Sequence, residues 1–276
     1  MKFNFLTLFP ELIEVHMRSG VIGQAIKKNI IEFESVNPRF FTKDKHKTVD
    51  DVPYGGGDGM LMLAEVLEKS LQSILEPAQK SNQKVKTVYL SPQGRLFRQE
   101  LITDFLNYDQ INFVCGRYAG VDNRFVIKNN ISEYSLGDYV LSGGELPALS
   151  MMDAIARKIP GVLGNQESSE LDSFYEGLLE APSFTRPGEW QGLDVPSVLI
   201  SGHHARIKEW KEFMSVLVTL KKRPELLLYT QSKSAILLPS GRRISLIDVE
   251  AFYSSLSDKE KIVCGIQDMV IRGDEN

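Results

Sequence analysis

Apolar positions along this chain follow two periods. The runs Phe3–Phe9, Thr87–Leu90, Ile111–Val114 and Tyr139–Leu141 read as short buried strands. Between them lie stretches with helical spacing: Glu11–Lys28, Leu63–Leu75, Leu96–Phe105 and Pro147–Ile159. Strands that alternate with helices predict an α/β domain with a largely parallel sheet. The last of these helices is the clearest. Leu149, Met152, Ala156 and Ile159 form its apolar stripe, Pro147 suits a first turn, and Pro160-Gly161 stops it.

The pattern then breaks. The stretch 164–172, GNQESSELD, is polar and acidic and has no bulky apolar cluster, so it reads as an exposed linker. Beyond it, Trp210–Leu220 is an amphipathic helix stopped near Arg223-Pro224, and Leu246–Leu256 is another helical pattern. The predicted organisation is an α/β domain over 1–163, a linker over 164–175, and a smaller, mainly helical domain over 176–276 with an extended tail.

Composition adds limits. With 276 residues, 42% hydrophobic and 25% charged, the chain can bury an ample core. Its two cysteines, Cys115 and Cys264, lie far apart without metal-ligand spacing, which argues against a disulfide framework or zinc site and fits a reducing cytoplasm. No run approaches the roughly 20 apolar residues of a membrane span, and the N-terminus alternates like a strand rather than a signal peptide. A cytoplasmic protein with no membrane partner is expected. The net charge of −4 argues weakly against a dedicated nucleic-acid binder. Two basic clusters nevertheless leave a polyanionic partner open: Arg39, Lys43, Lys45, His46 and Lys47, and six Lys/Arg against two acids between Gly202 and Arg223.

Three of the predicted strands end in unusual loops: SPQG after Leu90, CGRYAG after Val114, and SGGELP after Leu141. In open parallel sheets ligands bind beyond the carboxyl ends of strands, and glycine lets backbone groups approach a ligand closely. In VCGRYAGV (114–121) two glycines also bracket a cation and an aromatic, more than a connector requires. The chain lacks the G-x-G-x-x-G of a dinucleotide site, and YGGGDGML (54–61) lacks the Lys and hydroxyl of a phosphate-binding P-loop. Taken singly, the catalytic candidates have plain structural readings. Arg157 lies four residues after Asp153, as in a surface ion pair. Asp172 ends a solvated linker, Asp50 and Asp51 flank a charged loop, and adjacent His203 and His204 place their rings on different faces.

Seven ordered motifs carry a resemblance. YGGGDGM (54–60), YLSPQG (89–94), VCGRYAGVDNR (114–124), SLGDYVLSGGELPA (135–148), IPGVLG (159–164), DSFYEGLLEAPSFTRP (172–187) and VPSVLISGHHA (195–205) resemble the bacterial tRNA (guanine-N1)-methyltransferase family of trefoil-knotted, SPOUT-type methyltransferases. The match runs from the first strand to about Leu226. The resemblance implies a deep trefoil knot in the first domain and methylation of the guanosine 3′ of the anticodon (position 37) in tRNA. It implies S-adenosyl-L-methionine as donor, magnesium (Mg2+) assistance as an open element, and a homodimer with sites at the subunit interface. Carried over by position, the cofactor residues are Tyr89, Leu90, Ser91, Gly116, Tyr118, Leu136, Gly137, Tyr139, Val140, Leu141, Gly143, Gly144 and Pro147. The catalytic pair is Asp172 as base and Arg157 as stabiliser of charge on O6 of guanine. Asp50 is expected to help recognise the guanine, and the basic helix with Arg206 and Lys208 to grip the anticodon stem.

One position departs. The family pattern reads C-G-R-Y-E-G, and this chain has Ala119. Asp58 for Pro, Asn123 for Glu and His203 for Asn are milder changes. The missing carboxylate defines the alternative reading, a catalytically weakened RNA-binding protein of the same fold. Retention of both Asp172 and Arg157 favours the enzyme.

Overall fold

The computed structural model describes residues 1–164, 172–174, 176–228 and 234–271. The chain divides into two compact units, Met1–Gln166 and Glu167–Asn276. In the first, the order is β1 (Lys2–Leu6), α1 (Pro10–Met17), α2 (Gly20–Lys27), β2 (Glu32–Val36), β3 (Asp50–Asp51), β4 (Leu61–Met62), α3 (Ala64–Lys80), β5 (Val85–Leu96), α4 (Ile102–Phe105), β6 (Gln110–Val114), α5 (Asn123–Lys128), β7 (Ser132–Ser135) and α6 (Glu145–Ala156). Five strands form a parallel sheet in the order β2-β1-β6-β5-β7. The α/β expectation is met.

Side-chain alternation gives the sheet two cores. Phe3 and Phe5 turn to one side, where Phe5 stacks on Phe113 at 5.4 Å between centroids, and pack with Ile13, Met17, Ile22, Met152 and Ile155. Leu6 and Val114 turn to the other, against Leu67 and Leu71 of α3 and Phe125 of α5. Each such fully buried side chain contributes about 1.5–3 kcal/mol. β6, the central strand, is buried along its whole length. Its polar members are satisfied inside: Asn112 Oδ1 accepts from Asn4 Nδ2 and Gln110 Nε2, both at 2.9 Å, which fixes the register of β1 against β6.

Several sequence expectations are corrected. Glu11–Lys28 is two helices, because Gly20 adopts φ 56° and the chain cannot continue helically through it. β2 escaped notice because EFESV mixes exposed acids with its apolar residues, as befits an edge strand. Leu96–Phe105 is helical only from Gln99, since β5 runs on to Leu96. Tyr139–Leu141 is not a strand. The fifth strand is Ser132–Ser135, and Tyr139, Val140 and Leu141 lie on the loop after it, 55%, 83% and 41% exposed. Their apolarity reflects an open cavity wall rather than a sheet interior. α6 begins two residues before Pro147.

β5 has an excursion. Leu90 and Arg95 both pair with Tyr134 of β7, so Ser91–Gly94 leave the ladder between them. Gly94 lets the chain return, since a Cβ there would collide with the backbone of Glu133 and Tyr134.

In the second unit the described elements are β8 (Glu189–Trp190), β9 (Leu193–Asp194), α7 (Ser197–Ile200), α8 (His204–Lys222), β10 (Ala235–Leu237), β11 (Arg243–Ser245), α9 (Leu246–Ser255) and α10 (Asp258–Val263). The expected helical domain therefore also carries two short antiparallel hairpins. Trp210, Met214 and Leu217 of α8 pack against Ile236, Ile244, Val249 and Ile266, so the tail supplies much of this core. The expected linker 164–175 lies mostly outside the described residues.

Gly94→Ala is expected to destabilise the protein by roughly 1–3 kcal/mol through overpacking against β7. The neighbouring exposed change Gln93→Ala should stay within about 0.5 kcal/mol. Urea unfolding midpoints distinguish the two.

Candidate functional site

The carboxyl ends of β5, β6 and β7 open onto a cavity of about 580 Å³. Its walls are the β5 excursion, the loop from Gly116 to Val121, and the loop from Leu136 to Gly144, with Pro147 of α6 at the base. All thirteen residues assigned to the cofactor from sequence line it.

The walls meet backbone to backbone. Gly144 N–H donates to Gly116 C=O at 2.9 Å, and a Cβ on Gly144 would stand 2.7 Å from Cys115 Cα. A Cβ on Gly116 would stand 2.8 Å from the Tyr89 ring. Any side chain at either glycine pushes two walls apart. Tyr118 has φ 60°, in the left-handed region that few non-glycine residues occupy. Ser91 Oγ accepts from Gln93 N–H, and Ser135 Oγ donates to Gly137 C=O at 3.0 Å, so both flanking loops are internally tied. Burial raises the Tyr89 phenol above its ordinary pKa, with the Val121 backbone N–H at its oxygen working the other way.

Behind the cavity sits a charge that sequence reasoning did not find. Glu145, 1% exposed, accepts from Thr7 Oγ1 at 2.8 Å and pairs with the Arg117 guanidinium at 2.9 Å. Arg117 also donates to Ser142 C=O at 3.2 Å and lies over the Phe9 ring at 4.3 Å. The only sequence signal was Arg117 itself between two glycines. From sequence Glu145 is only one position of the SGGELP loop, ahead of the helix predicted from Pro147. Cys115 is fully buried, and burial first, then the Glu145 charge, push its thiol well above the usual range. Burial pushes Cys264 up to about 12.

Arg157 follows the last residue of α6 and lines a separate hollow of about 260 Å³ with His16, Ser19, Val21 and Asp153. It stands ten residues beyond Pro147, about 15 Å along the helix. Asp172 is half-buried in the second unit. Asp50 is on β3, paired with Met62, and Arg206 and Lys208 are exposed in the first turns of α8. Ala119 lines the cavity, its N–H bonded to Met60 C=O at 2.9 Å. Among the described residues no group of three or more His, Cys, Asp or Glu is placed to hold a metal, and no helix is long and apolar enough to cross a membrane.

A family model for tRNA (guanine-1)-methyltransferase TrmD matches residues 1–229. The chain belongs to this family. It is 48% identical over 227 residues to the tRNA (guanine-N(1)-)-methyltransferase of Shewanella woodyi, which covers 82% of this chain and 90% of that relative. The corresponding enzyme of Actinobacillus succinogenes is also 48% identical over 227 residues, with 82% and 91% covered. That of Colwellia psychrerythraea is 45% identical over 232 residues, with 82% and 92% covered. The match to the family model ends at 229, so β10, β11, α9 and α10 fall beyond it.

Glu145→Ala leaves Arg117 without its carboxylate and is expected to cost roughly 3–5 kcal/mol of stability. The double change Arg117→Met with Glu145→Leu should recover part of that loss, read as a coupling energy in denaturant unfolding. Both thiols should resist a neutral-pH disulfide reagent in the folded protein and react on unfolding, because the thiolate is the reactive form.

Proposed function

We propose that this protein transfers a methyl group from S-adenosyl-L-methionine to N1 of the guanosine 3′ of the anticodon, position 37, in tRNA. The observation that carries the reading is the convergence of all thirteen family-matched cofactor positions on one cavity. Its volume suits a cofactor of this size. Leu90, Leu136 and Pro147 offer apolar surface, and the glycine-lined loops bring backbone donors and acceptors within reach. Bound there, S-adenosylmethionine supplies an electrophilic methyl group. In this reading the loops of the cavity form a trefoil knot, as the family resemblance implies.

The chain's own residues handle the proton and the charge. N1 of neutral guanine carries a proton, so its lone pair is unavailable until a base removes it. Asp172 takes that proton, a contribution of typically ~10²–10⁴-fold. Negative charge then builds on O6, where the Arg157 guanidinium stabilises it as oxyanion donors do. Arg157 stands some 15 Å along α6 from the cavity's base, which supports a composite site: a homodimer in which one protomer's cavity meets its partner's catalytic pair. The exposed Leu12, Val15 and Val21 of α1 and α2 and Leu146 of α6 supply apolar surface for such an interface. Asp50 is assigned to the guanine and the basic start of α8, with Arg206 and Lys208, to the anticodon stem. A cytoplasmic location follows from a tRNA substrate. Magnesium assistance, which the resemblance left open, is not assigned to any residue.

Ala119 favours a second reading, an RNA-binding protein of the same fold with weakened catalysis. Single-turnover methyl transfer to unmodified tRNA bearing guanosine 37 decides between them. N1-methylguanosine is expected at saturating cofactor, and none would leave the binding reading. Asp172→Asn should lower the single-turnover rate at least ~10²-fold while cofactor affinity stays unchanged. Full activity in that variant would remove Asp172 as the base.

A further inference from the structure

The first basic cluster forms a built loop against the cavity wall. Buried Pro38 and Val49 anchor its ends, and Phe41 packs into the core under α3. Between them, residues 43–48 are all exposed. The loop is held from within. The Asp44 carboxylate accepts from His46 N–H, Thr48 N–H and Thr48 Oγ1 at 2.8–3.1 Å, and these bonds, the Thr48 hydroxyl first, hold its pKa below the ordinary value. Arg39 donates to Lys47 C=O at 3.0 Å, which secures Lys47 at φ 54°. The loop's acid is thus turned onto its own backbone while its cations face outward. Lys43 faces Glu65 at 3.8 Å, and no other ion pair involves this cluster among the described residues.

Two features tie this loop to the cavity. Arg39 also donates to the Tyr118 hydroxyl, at 3.4 Å, so one guanidinium bridges loop and cavity wall. The loop's end is tied to the segment 60–63, Leu63 N–H donating to Val49 C=O at 2.8 Å, and that segment is bonded to the same wall: Met62 N–H to Gly120 C=O at 2.9 Å, and Ala119 N–H to Met60 C=O at 2.9 Å. Phe40, 74% exposed, carries the Lys47 ammonium 5.5 Å from its ring centroid. An exposed aromatic among exposed cations suits a polyanion whose bases stack, where free phosphate would need only the charges.

We propose that residues 39–47 form a phosphate-binding rim that holds the RNA backbone beside the cavity, with Lys45 and Lys47 contacting phosphates and Arg39 fixing the rim to Tyr118. The occupant is single-stranded or loop RNA, by charge complementarity, and the proposal rests on the RNA substrate proposed above. A lysine that contacts one phosphate contributes about 0.7–0.9 to the slope of log affinity against log salt, the lower value applying to single strands.

The test uses the full-length protein and a synthetic stem–loop RNA with guanosine 3′ of the anticodon, titrated by fluorescence anisotropy from about 50 to 200 mM salt without cofactor. Lys45→Gln and Lys47→Gln should each reduce the slope by about 0.7–0.9. Calorimetric affinity for S-adenosylmethionine should be unchanged. Lys84→Gln, an exposed lysine just ahead of the amino end of β5, should leave the slope as in the wild type. Unchanged slopes in both loop variants overturn the proposal, as does weakened cofactor binding with intact RNA binding, which would make the loop a brace for the wall. Loop-dependent RNA binding without any methyl transfer would sink the activity and leave the rim standing. Methyl transfer with unaltered slopes would do the reverse.

Discussion

The cavity depends on one buried carboxylate. Glu145 stands at the first turn of α6, where the helix N-terminus favours negative charge. Dipole attraction alone does not compensate for a side chain that is 1% exposed. Its partners come from two other parts of the chain, Thr7 just after β1 and Arg117 just after β6. Three segments spread over 138 residues of sequence must therefore meet at one point, or a charge is left unpaired in the interior. Arg117 extends the constraint to Ser142 and Phe9. Two of the three walls are placed by this arrangement.

With the loops so placed, the glycines follow. Gly116 and Gly144 touch through their backbones, and the space for a side chain at either is already taken by Cys115 or Tyr89. The third wall, Ser91–Gly94 of β5, arises differently, by an excursion that β7 closes on both sides at Tyr134. A cavity bounded by backbone presents hydrogen-bonding groups that no substitution of a side chain removes. Its shape is then held by groups that do not line it, Glu145 above all.

The α/β class was legible because β1, β5 and β6 are apolar runs, two of them with glycine-bearing loops at their carboxyl ends. The cavity residues were legible through the motifs that carry the family resemblance. What failed did so for physical reasons. Tyr139–Leu141 is as apolar as a strand, and only its exposure shows that it faces an opening. The β5 excursion is invisible to periodicity, since SPQG reads as an ordinary turn. Glu145 and Thr7 were missed because burial of a polar side chain depends on partners distant in sequence. The tail beyond 229 carried no motif, yet Ile236, Ile244 and Val249 are core to the second unit. Packing needs apolar volume at the right spacing, and that leaves no signature a motif would reveal.

Ala119 takes its meaning from this arrangement. It sits on the cavity wall, with Gly59 close enough that a Cβ there would stand 3.3 Å from its own. Among the lining residues the one carboxylate is Glu133, at the β7 end. In the proposed reaction the proton is removed by Asp172 and the charge on O6 is met by Arg157, which lines a separate hollow. Under the proposed function a carboxylate at 119 would stand beside donor and target base, where it could hold or orient them. In that reading Ala119 bears on affinity and alignment, while proton removal is assigned to Asp172. On the same reading the chain retains the proposed base and charge stabiliser, Asp172 and Arg157, and lacks a carboxylate at 119. A deficit there is expected in the affinity for RNA or cofactor before it is expected in the pH dependence of the methyl-transfer step.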